Sequence, residues 1–123
     1  MQYRNTKQKS TIYSIIDQNG HVSVEELVRY LRQINSKISL ATIYRNLNVL
    51  TKENKIKKVQ SANKLVFETI KENHYHFECE KCHKIFDIDL DLINIKINHS
   101  PATITRKELF LYGICNGCNN NNE

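Results

Sequence analysis

The chain contains no run of eighteen apolar residues, and its start, MQYRNTKQKS, has none of the apolar core of a secretory signal. These absences exclude a membrane-spanning helix and export by a signal peptide, so the expected location is the cytoplasm, with no membrane partner. There is no internal repeat, and the one low-complexity tract is the Asn-rich tail. The single proline, Pro101, belongs to a break at His99-Ser100-Pro101. Disorder is excluded by composition, because 40% apolar and 25% charged residues is the balance of a folded soluble protein. The 123 residues can bury one modest core, or two small lobes that lean on each other or on a second copy, so extra staples are expected. Eighteen Lys and Arg against thirteen Asp and Glu give a formal charge of +5. That excess favours a polyanionic partner without identifying it, and a solvated basic surface accounts for it equally well.

No cysteine lies outside two C-x-x-C pairs, Cys79/Cys82 and Cys115/Cys118, which are separated by 32 residues. In a reducing compartment this pattern points to a metal more than to disulfides. Tetrahedral zinc takes four sulfurs in closed structural sites, so Cys79, Cys82, Cys115 and Cys118 are expected to hold one structural Zn2+. Four thiolates leave no open position for an activated water. The deaminase signature, H-x-E followed by P-C-x-x-C, is missing, and no paired acid, nucleophile or substrate pocket is readable. The chain is therefore not expected to be an enzyme.

The first half reads as three helices and a hairpin. Residues 6–18 place Ile12, Ile15 and Ile16 at helical spacing, and Asn19-Gly20 stops the pattern. In SVEELVRYLRQI, Ser23 and Glu26 form a capping-box signature ahead of a stripe of Leu27, Val28, Leu31 and Ile34. A third helix starts at Ser39 as N-cap and ends near Asn54, a residue that tolerates the left-handed conformation. On it Leu40, Ile43, Leu47 and Leu50 share one side, and Ala41, Tyr44, Arg45 and Asn48 share the opposite one. Arg and Asn bond base edges or phosphates, and small apolar or aromatic groups touch thymine methyls; a plain solvated face fits the same residues. KIKKVQ and KLVFET then form two β-type runs around Ser61-Ala62-Asn63, a hairpin that bears lysines, among them Lys57 and Lys64. Three helices plus a basic hairpin is the winged helix-turn-helix pattern.

Beyond Thr69 the character changes, and a boundary is expected between Ile70 and Asn73: residues 1–70, a hinge at 71–73, and residues 74–123. The second part predicts strands over 74–79, 84–88 and 103–112, with a short helix over 89–98. The stretch HYHFECEKCHKIFD crowds histidines, cysteines and carboxylates together. Alternate side chains of a strand share a face, so His74 and His76 point one way and Cys79 the other, which implies two different sites. Imidazoles joined by carboxylates suit divalent iron, manganese or zinc; Glu68 and Asp87 are the nearby acids, and a fifth ligand must come from elsewhere. An H-x-H pair of ordinary structural histidines is the competing reading.

HVSVEEL, LATIYRNLNVL, HYHFECEKC and LYGIC together resemble the ferric uptake regulator family of bacterial metal-responsive and peroxide-responsive repressors. The likeness covers nearly the whole chain, in order. It implies an α+β protein: an N-terminal winged helix that binds double-stranded DNA at a palindromic AT-rich operator, then a small α/β domain that makes a homodimer and carries the four-cysteine zinc site. It also implies a regulatory site of His21, Glu68, His74, His76 and Asp87, holding Fe2+ or Mn2+, with Zn2+ possible, that locks the dimer in its DNA-binding shape. Ala41, Tyr44, Arg45, Asn48, Lys57 and Lys64 would face DNA.

Departures from the family pattern are visible. The usual additional first helix is missing from the sequence as read, and His83 stands where Gly is usual, either as an exposed turn residue or as an extra ligand. Asn73 and Tyr75 replace groups that many iron-sensing members use for a further site, which is expected to be absent. Asp87 resembles the peroxide-sensing branch and Glu68 the iron-sensing one, leaving the branch open. A zinc-ribbon adaptor that binds RNA or protein without sensing metal is the alternative; it leaves His21 and the Ala41/Tyr44/Arg45/Asn48 face without a role.

Overall fold

A computed structural model describes residues 2–71, 74–89, 102–103, 105 and 108–120. The chain divides into two compact units, Met1–Ile70 and Lys71–Glu123.

The first unit is built of α1 (Gln2–Asn19), α2 (Val24–Gln33), α3 (Leu40–Lys52), β1 (Ile56–Gln60) and β2 (Leu65–Thr69). Helix α1 begins four residues before the expected start at residue 6, because neither Gly nor Pro interrupts the run from Gln2 to Asn19. It ends where Asn19 Nδ2 donates to the Ile15 carbonyl at 2.7 Å and Gly20 takes φ +78°. Helix α2 carries the full capping box: Glu26 N–H donates to Ser23 Oγ at 3.1 Å, and Ser23 N–H donates to Glu26 Oε1 at 2.9 Å. Ser39 caps α3 by accepting from Thr42 N–H at 3.2 Å, and Asn54 follows that helix with φ 59°.

One core joins these elements: Ile12 and Ile16 of α1, Leu27 and Leu31 of α2, Ile43, Leu47 and Leu50 of α3, then Ile56, Phe67 and the loop residues Val22 and Ile38. Two expected core members are outside it. Ile34 is 58% exposed because it is the C-cap of α2, beyond the last regular turn, and Leu40 is 54% exposed at the first position of α3. A helical wheel assigns each a face but does not register that the chain turns away there. Strands β1 and β2 form the antiparallel hairpin, in the register Lys57↔Glu68 and Val59↔Val66. Val22 adds a bridge to Phe67, with N–H to O distances of 3.0 and 2.8 Å in the two directions. This short third rung ties the loop after α1 to β2.

The second unit holds a three-stranded sheet in the order β4-β3-β5, from β3 (His74–Cys79), β4 (Ile85–Asp89) and β5 (Phe110–Gly113), followed by α4 (Asn116–Asn120). β3 pairs antiparallel with β4 and parallel with β5, in the register His76↔Asp87 and His76↔Phe110. The strand expected over 103–112 is realised as Phe110–Gly113; among the described residues before it, 102, 103, 105, 108 and 109 are outside strands. Its β-branched, alternating pattern suits a strand, and among the described residues the ladder with β3 runs from His76↔Phe110 to Cys79↔Gly113. Asp89, expected in a helix, closes β4 instead, and the rest of that helix and the His99-Ser100-Pro101 break lie outside the described residues. Helix α4, in the Asn-rich tail, was not expected.

Candidate metal centres and nucleic-acid face

The four cysteines are delivered by the ends of β3 and β5. Cys79 closes β3, and the turn that follows returns through His83, whose N–H donates to the Cys79 carbonyl at 2.9 Å with φ 64°. That left-handed conformation is where glycine is the easy residue. His83 is an exposed turn residue, with Nδ1 3.7 Å from Oε2 of the buried Glu78. Cys115 follows β5, and the short turn of α4 brings Cys118 back toward it, Asn119 N–H donating to the Cys115 carbonyl at 2.8 Å.

All four sulfurs lie within 4.8 Å of one another, and Cys82 Sγ and Cys115 Sγ are 3.8 Å apart. A tetrahedral ion with zinc–sulfur bonds of about 2.3 Å requires sulfurs roughly 3.8 Å apart, whereas a disulfide would need about 2.05 Å. The donors therefore fit a structural zinc. Backbone N–H groups of Lys81, Cys82 and Cys115 each point at Cys79 Sγ at 3.4 Å. With Cys115 N–H the largest influence, they hold the Cys79 thiol down to about 5, against the opposing effect of burial. Burial, followed by hydrogen bonding with the neighbouring thiols, pushes Cys118 up to about 12. Zinc takes its cysteine ligands as thiolates, so binding is accompanied by proton release.

Each unit contributes imidazole and carboxylate donors. In the first, the Val22↔Phe67 bridge sets their chain neighbours side by side, and His21 Nε2 lies 2.9 Å from Glu68 Oε1. The Glu68 side chain is fully buried, and Lys57, its cross-strand partner, brings Nζ to 3.3 Å from Oε2. In the second, His74 and His76 share a face of β3, with ring centroids 4.6 Å apart, and His76 stacks on Phe110 at 5.2 Å. Asp87 faces them from β4: Oδ1 is 3.3 Å from His74 Nε2 and 3.8 Å from His76 Nε2, while Lys71 Nζ donates to Oδ2 at 3.0 Å. Strand parity separates this triplet from the cysteines, because Cys79 lies on the other face of β3. A carboxylate with two imidazoles is a donor set for divalent iron, manganese or zinc.

The exposed face of α3 carries Ala41, Tyr44, Arg45 and Asn48, all open to solvent, with Tyr44 47% exposed. Beside it a cleft of about 920 Å3 is lined by residues that include Arg29, Arg32, Leu40, Tyr44, Lys64 and Leu65. The exposure of Leu40 is accounted for here, since it forms an apolar wall of this cleft. Arg32 is committed to the loop between α2 and α3, donating to the carbonyls of Ser36 at 2.9 Å and Ile38 at 3.4 Å. Arg29 is a solvent-facing cation that the sequence reading missed, although it lies off the apolar stripe of α2. Of the two hairpin lysines, Lys64 lines the cleft and Lys57 is engaged with Glu68.

A mixed helix and sheet protein with a four-cysteine zinc site and further imidazole–carboxylate donors belongs to the class of metal-binding proteins stapled by structural zinc. Residues 1–110 match the model of the ferric uptake regulator family. The chain is 32% identical to the peroxide-responsive repressor PerR of Staphylococcus epidermidis over 94% of this chain and 81% of that protein. It is 30% identical to the PerR of Staphylococcus aureus, over 94% and 82%. Among solved structures it is similar to the Helicobacter pylori ferric uptake regulator, with a TM-score of 0.72 and 25% identity over 92% of this chain and 80% of that one. The chain belongs to the ferric uptake regulator family and is a metal-dependent, DNA-binding transcriptional repressor of a dimeric kind. The comparisons give no support to the adaptor reading. Among the described residues no helix is long and apolar enough to cross a membrane.

Proposed function

We propose that this repressor is a cytoplasmic, peroxide-responsive member of its family, acting as a homodimer on a palindromic AT-rich operator. Residues 1–70 serve as the winged-helix DNA-binding part and residues 74–123 as the dimerisation part, with 71–73 between them as hinge. His21 and Glu68 of the first part and His74, His76 and Asp87 of the second ligate one regulatory Fe2+ or Mn2+, with Zn2+ as a further occupant. The observation that carries this reading is the pair of imidazole–carboxylate sets, one in each unit, beside a cysteine cluster that uses none of them. Peroxide responsiveness is favoured by the names of the curated relatives and by Asp87.

When bound, the metal supplies positive charge to the two carboxylates and, as iron, one-electron chemistry toward peroxide. The residues do the rest: donors contributed by both parts restrain the hinge, so that the DNA-binding conformation of the dimer is selected. A ligand set that moves a conformational equilibrium from 1:99 to 99:1 must favour one state by about 5.5 kcal/mol. Two recognition helices related by a two-fold axis then match a palindromic site. Tyr44 and Arg45, with Ala41 and Asn48, meet the groove, while Lys64 lies near a phosphate.

A mobility-shift titration on a palindromic AT-rich duplex tests this directly. Binding is expected with Mn2+ and lost with chelator. Iron-loaded protein is expected to lose binding after peroxide, with added oxygen on His21 or His74 by mass spectrometry. Metal-independent binding would overturn the gating, and an unmodified His21 and His74 would overturn the peroxide response while leaving metal sensing in place.

A further inference from the structure

Both carboxylates of the proposed regulatory set are shared in the same way. Glu68 turns Oε1 to His21 at 2.9 Å and Oε2 to Lys57 Nζ at 3.3 Å. Asp87 turns Oδ1 to His74 and His76, at 3.3 and 3.8 Å, and Oδ2 to Lys71 Nζ at 3.0 Å. Each acid thus presents one oxygen to imidazole and has the other beside an ammonium group, although the two pairs arise independently. Lys57 meets Glu68 across the hairpin register, whereas Lys71 reaches Asp87 from the segment ahead of β3.

We propose that Lys57 and Lys71 are positioning residues of the regulatory site, holding one oxygen of each ligand carboxylate away from the metal and thereby setting its affinity. This rests on the five-residue ligand set described above. Two consequences follow from the chemistry. Each carboxylate is steered to one-oxygen coordination, because turning to offer both oxygens breaks its ammonium contact. Two ammonium charges also offset two carboxylate charges, and ligand charge count is a principal determinant of divalent-cation affinity. A sensor must release its metal at cellular concentrations, so a weakened site serves it better than a maximally tight one. Lys57 is 43% exposed but its partner Glu68 is fully buried, whereas Asp87 and Lys71 are each 38% exposed in their side chains; the Lys71 pair is open to solvent at both ends, so its effect is the smaller.

Mn2+ titration of the zinc-loaded protein in the absence of DNA tests this, with K57M, K71M, K57R and K71R compared with the parent. Zinc content and circular dichroism report that each variant folds. Lys57→Met is expected to tighten Mn2+ binding on the order of tenfold, Lys71→Met by less, and the arginine variants are expected to stay near the parent. A purely structural role for the lysines predicts the opposite sign, since a freed carboxylate would be less well placed. Unchanged or weaker binding in both methionine variants overturns the proposal. Glu68→Ala and Asp87→Ala in the same titration separate the two levels: if they leave Mn2+ binding intact, the ligand set falls and this inference falls with it. If they abolish binding while the methionine variants do not tighten it, only the lysine role is overturned.

Discussion

At the scale of single residues, conformation separates positions that composition treats alike. Gly20, Asn54 and His83 all have positive φ, at 78°, 59° and 64°. Only the first two were legible in the sequence, as a stop signal after α1 and a tolerant C-terminal residue after α3. His83 was recognised as a departure from a usual glycine, but its left-handed backbone follows from the turn that closes around Cys79. Gly20 offers a clean measurement, because a Cβ built there meets nothing within 4 Å. Gly20→Ala therefore carries the backbone cost alone, expected as a destabilisation of about 1 kcal/mol in urea unfolding. No change in the midpoint would show that the loop after α1 relaxes to accommodate the substitution. The exposed Ile34 and Leu40 mark the limit of residue-level inference: periodicity assigns them a side, but burial depends on where the partner elements end.

Among elements, legibility followed the strength of local chemistry. The Ser23/Glu26 box and the Ser39 cap are side chain to backbone bonds made within three residues, so the starts of α2 and α3 were readable. Ser23→Ala removes one of the paired bonds and is expected to cost about 1 kcal/mol, read as a lower urea midpoint with an unchanged slope. The hairpin was readable from its two β-type runs and the turn between them. By contrast, β5 is defined by a parallel edge of β3, and α4 by the need to bring Cys118 back toward Cys115, both long-range conditions invisible to a local pattern. The cysteine spacing nevertheless announced the site, because four thiolates have few other uses in a reducing compartment. Zinc is expected to hold these strand ends together, with apparent binding free energies for such sites on the order of 10 kcal/mol. Stripping it with a strong chelator should make Lys71–Glu123 sensitive to protease while Met1–Ile70 stays protected, because the core from Ile12 to Phe67 lies wholly within the first unit. Simultaneous digestion of both units would show that the first depends on the second.

For the whole molecule, the open question from the sequence was whether a charge of +5 and an Arg/Asn/Tyr helix face amount to more than a solvated surface. Family membership answers that the chain binds DNA, and the positions of two cations lead to different expectations for them. Arg45 stands on the open face of α3, whereas Lys64 belongs to the hairpin and lines the neighbouring cleft. A side chain that reads a base edge and one that meets a phosphate leave different thermodynamic signatures. Arg45→Ala is expected to cost about 1–3 kcal/mol on the operator and much less on an unrelated duplex, so that discrimination between the two narrows. Lys64→Ala should weaken both duplexes alike and lower the slope of log affinity against log salt by about 1. Anisotropy titrations at several salt concentrations, with Mn2+ held in excess, measure both quantities for both variants. If Arg45→Ala instead weakens the two duplexes equally with a reduced salt slope, Arg45 is a phosphate contact, and base recognition must be sought among Tyr44, Asn48 and Arg29.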